Sequence, residues 1–200
     1  MKLLLGTTNP GKISDYKKYL QHANLEIVSL VDLGLIVDEP LEIGETYRDN
    51  ALLKARFYAE RTEYPTLADD GGFEAEALDG RPGIESKRWV GPHGTDQDRI
   101  DKIMESMAGQ VNRKAKLVSA VCVYLPTERE AIFVENAIEG VIPEKPSPKA
   151  VPGFPYRSVL FLPEFDKFYL DLTDEEHSQI NHRKKAVKEL LLKLEPYLNQ

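Results

Sequence analysis

Residues 2–6 form a short apolar run that reads as a first strand. It feeds the polar stretch Thr7-Thr8-Asn9-Pro10-Gly11-Lys12, after which Ile13, Tyr16, Leu20 and Ala23 recur at helical spacing. Residues 25–30 alternate as a second strand. Tyr47, Ala51, Ala55, Tyr58 and Ala59 then mark one broad stripe of a helix, with Thr46 and Asp49 spaced as a capping box. Asn50 and Lys54, four apart, share a face of that helix. Thr95 or Asp96 caps a further helix with Ile100, Ile103, Met104 and Met107 inward. Runs at 115–125, 131–135 and 137–142 read as strands of an antiparallel meander. A proline-rich link over 143–155 leads to two more strand-like runs, 158–162 and 168–172. Thr173-Asp174-Glu175-Glu176 opens an acidic helix start. The basic stretch Asn181-His182-Arg183-Lys184-Lys185 precedes a last helix with Val187, Leu190, Leu191 and Leu194 inward. Strands and helices alternate first and a meander follows. The pattern predicts an α/β protein with a mixed sheet, one domain over 1–200 with two lobes.

One stretch departs from simple patterning. Thr66-Leu67-Ala68 runs into Asp69-Asp70 and then Gly71-Gly72-Phe73. Gly-Gly after an apolar run reads as a turn, which would set both carboxylates at a strand end. Neighbouring strand residues face opposite sides, so the two aspartates are expected to do different jobs. Paired acids at an ordered strand end suit Mg²⁺, which takes few carboxylates and keeps several waters. The alternative is a solvated Asp-Asp-Gly-Gly turn. Residues 73–78 alternate beyond it, and Gly80-Arg81-Pro82-Gly83 then breaks the chain.

Composition narrows the choices. With 200 residues and 42% apolar content, the chain can build a sizeable core. A formal charge of −7 argues against a broad nucleic-acid or anionic-membrane surface, but leaves room for a local cationic pocket. Cys122 is the only cysteine and lies in an apolar run, so it reads as a small core residue. No zinc spacing, signal-like segment or bilayer-length apolar run is present, and the expected location is the cytoplasm.

The layout strand, glycine loop, helix aims backbone N–H groups and a helix N-terminus at an anion. Gly6 to Lys12 fits the first part of a P-loop, but Ile13 stands where Ser or Thr is required and Pro10 removes a donor. A true P-loop is therefore disfavoured, while Lys12 and its loop remain candidates for phosphate. The alternative is an ordinary loop with a solvated lysine. Asn50 and Lys54 could hold a phosphate, although spacing alone favours a solvated helix side. Glu42 is either a further metal carboxylate or a loop acid. Lys87 and Arg88, beside Trp89, could face phosphate or coat the surface.

In order along the chain, these motifs resemble the inosine/xanthosine triphosphate pyrophosphatases. The match runs from Thr7 to Arg183. The opening T-x-N-x-x-K is Thr7, Asn9 and Lys12. E-x-G-x-T-F-x-x-N-A-x-x-K-A is met by Glu42, Gly44, Thr46, Asn50, Ala51, Lys54 and Ala55, with Tyr47 for Phe. A-D-D-S-G-L appears as Ala68-Asp69-Asp70-Gly71-Gly72-Phe73, and P-G-x-x-S-x-R as Pro82-Gly83, Ser86 and Arg88. E-G-x-I is Glu139-Gly140-Val141-Ile142, and the closing S-H-R is Asn181-His182-Arg183.

The resemblance implies a two-lobed fold with a long mixed sheet flanked by helices and a central nucleotide cleft, usually as a homodimer. It implies Mg²⁺-dependent hydrolysis of non-standard purine nucleoside triphosphates to the monophosphate and pyrophosphate. Asp70 would then be the general base and lie at the metal, with Glu42 and Asp69 completing the acidic cluster. Thr7, Thr8, Asn9, Pro10, Gly11, Lys12 and Lys54 would hold the phosphates, with Gly71 beside them. His182 and Arg183 would reach the base. Departures fall on the base-reading side. The family's F-G-Y-D-P-x-F is replaced by a stretch that begins Phe154-Pro155-Tyr156-Arg157, so Arg157 reverses an acid's charge. His177 stands for a lysine, Asn181 for a serine, and Gly71 for a serine. Two other classes compete with the pyrophosphatase: a nucleotide sensor on the same fold without turnover, and a P-loop NTPase or kinase, which Ile13 weakens.

Overall fold

The computed structural model describes residues 1–35 and 39–198. In chain order the elements are β1 (Lys2–Leu5), α1 (Pro10–Leu20), β2 (Glu26–Ser29), α2 (Tyr47–Thr62), β3 (Thr66–Ala75), β4 (Pro82–Gly83) and α3 (Asp96–Ser106). Then follow β5 (Lys114–Leu125), β6 (Glu130–Val141), β7 (Phe161–Leu162), β8 (Lys167–Phe168), α4 (Asp174–Ile180) and α5 (His182–Leu198). The sheet is long and mixed and is flanked by helices. By contact the chain divides into two units. The first holds Met1–Asp70, Ser119–Asn136 and His182–Gln200, and the second Gly71–Val118 and Ala137–Asn181.

In the first unit β1 runs parallel to β2 on one side and to β3 on the other, and the strand order is β2-β1-β3-β5-β6. The period of two along each strand sorts the core into two faces. Leu3, Leu5, Leu67, Val121 and Val123 pack with Tyr16 and Leu20 of α1 and Val187, Leu190 and Leu194 of α5. On the opposite face Ala68, Cys122 and Tyr124 meet Ala51, Ala55 and Ala59 of α2. Those small residues let α2 lie close to the sheet. Gly6 serves the same closeness at the end of β1, where a Cβ would come within 2.9 Å of both Thr66 and Tyr58. Cys122 is buried and its thiol is pushed up to about 12 by burial, as a core residue requires. The capping box at Thr46 forms with Asp49 as its second member.

The second unit packs Phe73 and Ala75 of β3 with Ile100, Ile103 and Met107 of the α3 region and with Ile138, Tyr156, Val159 and Tyr169. Tyr156 stacks on Phe73 with ring centroids 5.0 Å apart, and its hydroxyl donates to the Ser86 carbonyl at 2.9 Å. β7 pairs antiparallel with β6 and with β8.

Four sequence expectations are corrected. β3 does not stop at the aspartates: it is one ten-residue strand running through Gly71-Gly72, held beyond them by pairing with β4 at Phe73 and Glu74. Ser86 Oγ also accepts from Phe73 N at 2.9 Å. Residues 76–78 then turn as a short 3₁₀ helix instead of extending the alternation. The two runs at 131–135 and 137–142 are one strand, because Glu135-Asn136 is an exposed polar step within β6 rather than a break. In the stretches 158–162 and 168–172 only the short β7 and β8 are extended, flanked by 3₁₀ turns at Pro155–Val159 and Tyr169–Asp171. Among the described residues no helix is long and apolar enough to cross a membrane.

Candidate functional site

The strand continuity of β3 fixes the two aspartates in mid-sheet, on opposite faces. Asp69 points toward α1 and α5. Lys12 Nζ lies 2.9 Å from its Oδ1, and Arg183 Nε 3.3 Å from its Oδ2. Arg183 also reaches Asp15 Oδ2 at 3.6 Å. Asp70 points toward α2. Lys54 Nζ donates to its Oδ1 at 3.1 Å, and Asn50 Nδ2 to its Oδ2 at 3.2 Å. Lys54 also donates to Glu42 Oε1 at 2.8 Å, so Glu42 and Asp70 converge on one ammonium. Only 2% of Asp69 and 7% of Asp70 is exposed, which excludes the solvated-turn reading.

Asn50, which spacing alone assigns to a solvated face, lies at the candidate site. It is fully buried, and its two polar atoms do separate tasks. Oδ1 accepts from Gly44 N at 2.8 Å, fixing the loop that carries Glu42, while Nδ2 orients Asp70. Gly44 is required there: a Cβ would come within 2.5 Å of Asp49 and 2.8 Å of Asn50 Oδ1. The Asn50–Lys54 spacing was the available signal; the acid it faces lies twenty residues later in sequence. Tyr16, one turn after Lys12 on α1, reads from the sequence only as a position of the helix's apolar face. It is fully buried beside Asp69, and its phenol is raised well above the usual range, first by burial and then by the Asp69 charge.

Of the loop 7–12, Asn9 is the N-cap of α1 and its Oδ1 accepts from Gly11 N at 2.9 Å and Lys12 N at 3.1 Å. Thr7 Oγ1 accepts from Asn9 N, and Thr8 donates its hydroxyl to Glu39. Pro10 occupies the first helical position. Lys12 is not the solvated lysine of the plain-loop alternative, since it is bound to Asp69.

The electrostatics of the two acids diverge. Burial would raise Asp69, but the charges of Lys12, Arg183 and Lys54 outweigh it and hold the carboxyl well below the usual range. For Asp70 burial dominates, Glu42 adds like-charge repulsion, and the opposing Lys54 and Lys12 do not cancel them, so the carboxyl is raised. Burial lowers Lys12, whereas for Lys54 the charges of Asp70, Glu42 and Asp69 overcome burial and raise it. Among the described residues no group of three acid, His or Cys side chains closes on a single point suited to a metal. Glu42 Oε1 and Asp70 Oδ1, both hard oxygen donors, converge on the Lys54 ammonium.

The second unit gathers the residues that depart from the family pattern. The Arg157 guanidinium lies 3.9 Å over the Phe154 ring and 5.5 Å from the Tyr169 ring centroid. Tyr169 Oη and His177 Nε2 are 2.6 Å apart, and Asn181 Nδ2 is 3.3 Å from the same nitrogen. Pro155 and Tyr156 are buried, and Tyr156 serves the core. Gly71 is the first residue of this unit, and His182 and Arg183 belong to the other. Arg88 and Lys87 are on the surface. A cavity of about 680 Å³ in the second unit, bordered by Glu74, Asp79, Lys116 and Glu139, includes none of these residues.

The model of the Ham1 family matches residues 3–193. A dITP/XTP pyrophosphatase from an Exiguobacterium species is 35% identical over 198 residues, covering 99% of each chain. The dITP/XTP pyrophosphatase of Haemophilus influenzae is 37% identical, covering 96% of this chain and 98% of its own. Among solved structures, the Staphylococcus aureus Ham1 protein superposes with a TM-score of 0.85 at 28% identity, over 98% of this chain and 100% of its own.

Proposed function

This chain belongs to the Ham1 family, and from that premise we propose that it hydrolyses XTP, ITP and dITP to the monophosphate and pyrophosphate, with Mg²⁺. The observation that carries the reading is the opposite setting of two adjacent carboxylates. Environments that push neighbouring acids apart separate their roles. Asp70, raised and held at both oxygens by Lys54 and Asn50, takes the proton of the attacking water. Asp69, held ionised, anchors Lys12 and Arg183.

Hydrolysis of a polyphosphate needs positioning and charge neutralisation above all. Lys12, Lys54 and Arg183 each face a carboxylate already, so a triphosphate calls for further positive charge. Glu42 and Asp70 would hold a divalent ion, since both are hard donors turned toward one cation position. When bound, Mg²⁺ neutralises phosphate charge and polarises the phosphoryl group. Lys12, Lys54 and the loop 7–12 bind the phosphate tail, and the Phe154–Arg157–His177 group reads the base. The active form is proposed to be a homodimer.

A panel of ITP, XTP, dITP and the common triphosphates, assayed for pyrophosphate with and without Mg²⁺, tests the reading. Pyrophosphate from the oxo-purines is expected. Orthophosphate as the released product, or no product from any of them, would overturn it.

Two variants extend the test. Lys12→Ala is expected to raise KM by roughly tenfold, about 1.4 kcal/mol, with little change in kcat, because a ground-state phosphate contact is uniform binding. A collapse of kcat at constant KM would instead put Lys12 in the transition state. Arg157 donates hydrogen bonds only, so it favours keto oxygens and a more anionic base. XTP is therefore expected to react at least as well as ITP, with ATP poor. Arg157→Asp should shift the XTP/ITP ratio of kcat/KM by roughly tenfold; an unmoved ratio with both activities measurable removes Arg157 from base recognition.

A further inference from the structure

Tyr169 belongs to no motif, yet it touches both positions at which the base-reading group changes its charge chemistry. Its hydroxyl is 2.6 Å from His177 Nε2, its ring meets the imidazole edge-on at 66° and 5.1 Å, and the Arg157 guanidinium lies over its face. The residue is itself immobilised. It is 2% exposed, it sits in a 3₁₀ turn directly after β8, and its N–H donates to the Leu160 carbonyl at 2.9 Å. The partner side is braced in parallel. Lys167 of β8 donates to both oxygens of Glu176 at 2.7 and 2.9 Å, and Glu176 is the second half of the Thr173 capping box that starts α4. The same two chain segments that Lys167 and Glu176 join therefore hold Tyr169 against His177.

We propose that Tyr169 is the positioning residue that sets the base preference of this chain, by fixing the His177 ring and the Arg157 guanidinium toward the keto edge of an oxo-purine. The proposal rests on the reading of this group as the base-reading one. Removing the hydroxyl while keeping the ring takes away the 2.6 Å contact to His177, leaving the longer Asn181 contact at 3.3 Å, and keeps the aromatic face beside Arg157. Removing the ring as well takes away one of the two aromatic faces beside Arg157, that of Phe154 remaining, and the edge contact to the imidazole.

Tyr169→Phe and Tyr169→Leu are compared with the unaltered protein for kcat/KM on XTP and ITP, with thermal unfolding to confirm folding. Tyr169→Phe is expected to lower the XTP/ITP ratio by about fivefold, the size of one hydrogen bond, and mainly through KM. Tyr169→Leu is expected to move it further. A merely structural role would weaken both bases equally and leave the ratio fixed. A ratio within twofold of the starting value in the folded Tyr169→Phe protein overturns the proposal. If the unaltered protein releases no pyrophosphate, the hydrolase reading fails. Calorimetric affinities for XMP and IMP then decide the matter by the same ratio, and binding of neither overturns the proposal too.

Discussion

Asp70→Asn is expected to lose pyrophosphate release by roughly 10²–10⁴-fold, the range a positioned general base contributes, while staying folded and still binding nucleotide. The geometry explains why the two effects separate. An amide at position 70 is nearly the shape of the carboxylate, and its oxygen can still accept from Lys54 or Asn50. Its NH₂ must then face the other donor, a local cost of about 1–3 kcal/mol that a well-packed sheet tolerates. What the amide cannot do is accept a proton. Binding is expected to survive because the phosphate contacts proposed for Lys12 and the loop 7–12 do not involve the residue 70 side chain, and an amide oxygen at 70 can still face a metal ion. The measurement is single-turnover pyrophosphate release beside calorimetric binding of the triphosphate. A folded Asp70→Asn protein that hydrolyses at near the normal rate removes Asp70 as the base.

Much of this arrangement was legible in sequence, and the parts that were not share a cause. The stripes of α2, α3 and α5 and the core role of Cys122 follow from periodicity, because an amphipathic face must be buried. Thr46 and Asp49 announce their own helix start, since a capping box is a local interaction. Gly71-Gly72 misled because a glycine pair permits a turn without requiring one. Pairing with β4 and the Ser86 hydroxyl keep the strand extended, and both partners lie beyond the local window. Asn50 is the same problem on a helix: spacing shows which residues share a face, not which buried acid the face meets. Tyr169 was hidden twice, inside a stretch patterned as a strand and by a partner, His177, eight residues away on another element. The ordered motifs located the acids and lysines, while the hydrogen bonds that give each acid its own environment required the fold.

Asp69→Asn is expected to fail in the opposite way, losing stability more than chemistry. Asp69 is buried between Lys12 and Arg183, at 2.9 and 3.3 Å. Neutralising it leaves two inward-facing cations without their shared carboxylate, and breaking a buried pair from one side costs about 3–5 kcal/mol. Asp15 remains as a partner for Arg183 at 3.6 Å, so the loss should sit toward the lower end of that range. The pH dependence gives an independent check. The Asp69 carboxyl is depressed in the folded protein, so the unfolded chain binds its proton first as pH falls. Its stabilisation is therefore complete above the ordinary aspartate pKa of about 3.9 and is lost progressively as pH drops from there toward the lower folded value. Urea unfolding of both proteins, with a chelator present, should show a wide gap at neutral pH that narrows below about pH 4. A gap under about 1 kcal/mol at neutral pH, or one that does not narrow in acid, would mean that Asp69 does not anchor the two cations. Residual pyrophosphate release by folded Asp69→Asn, against none by Asp70→Asn, would then assign anchoring to one neighbour and proton transfer to the other.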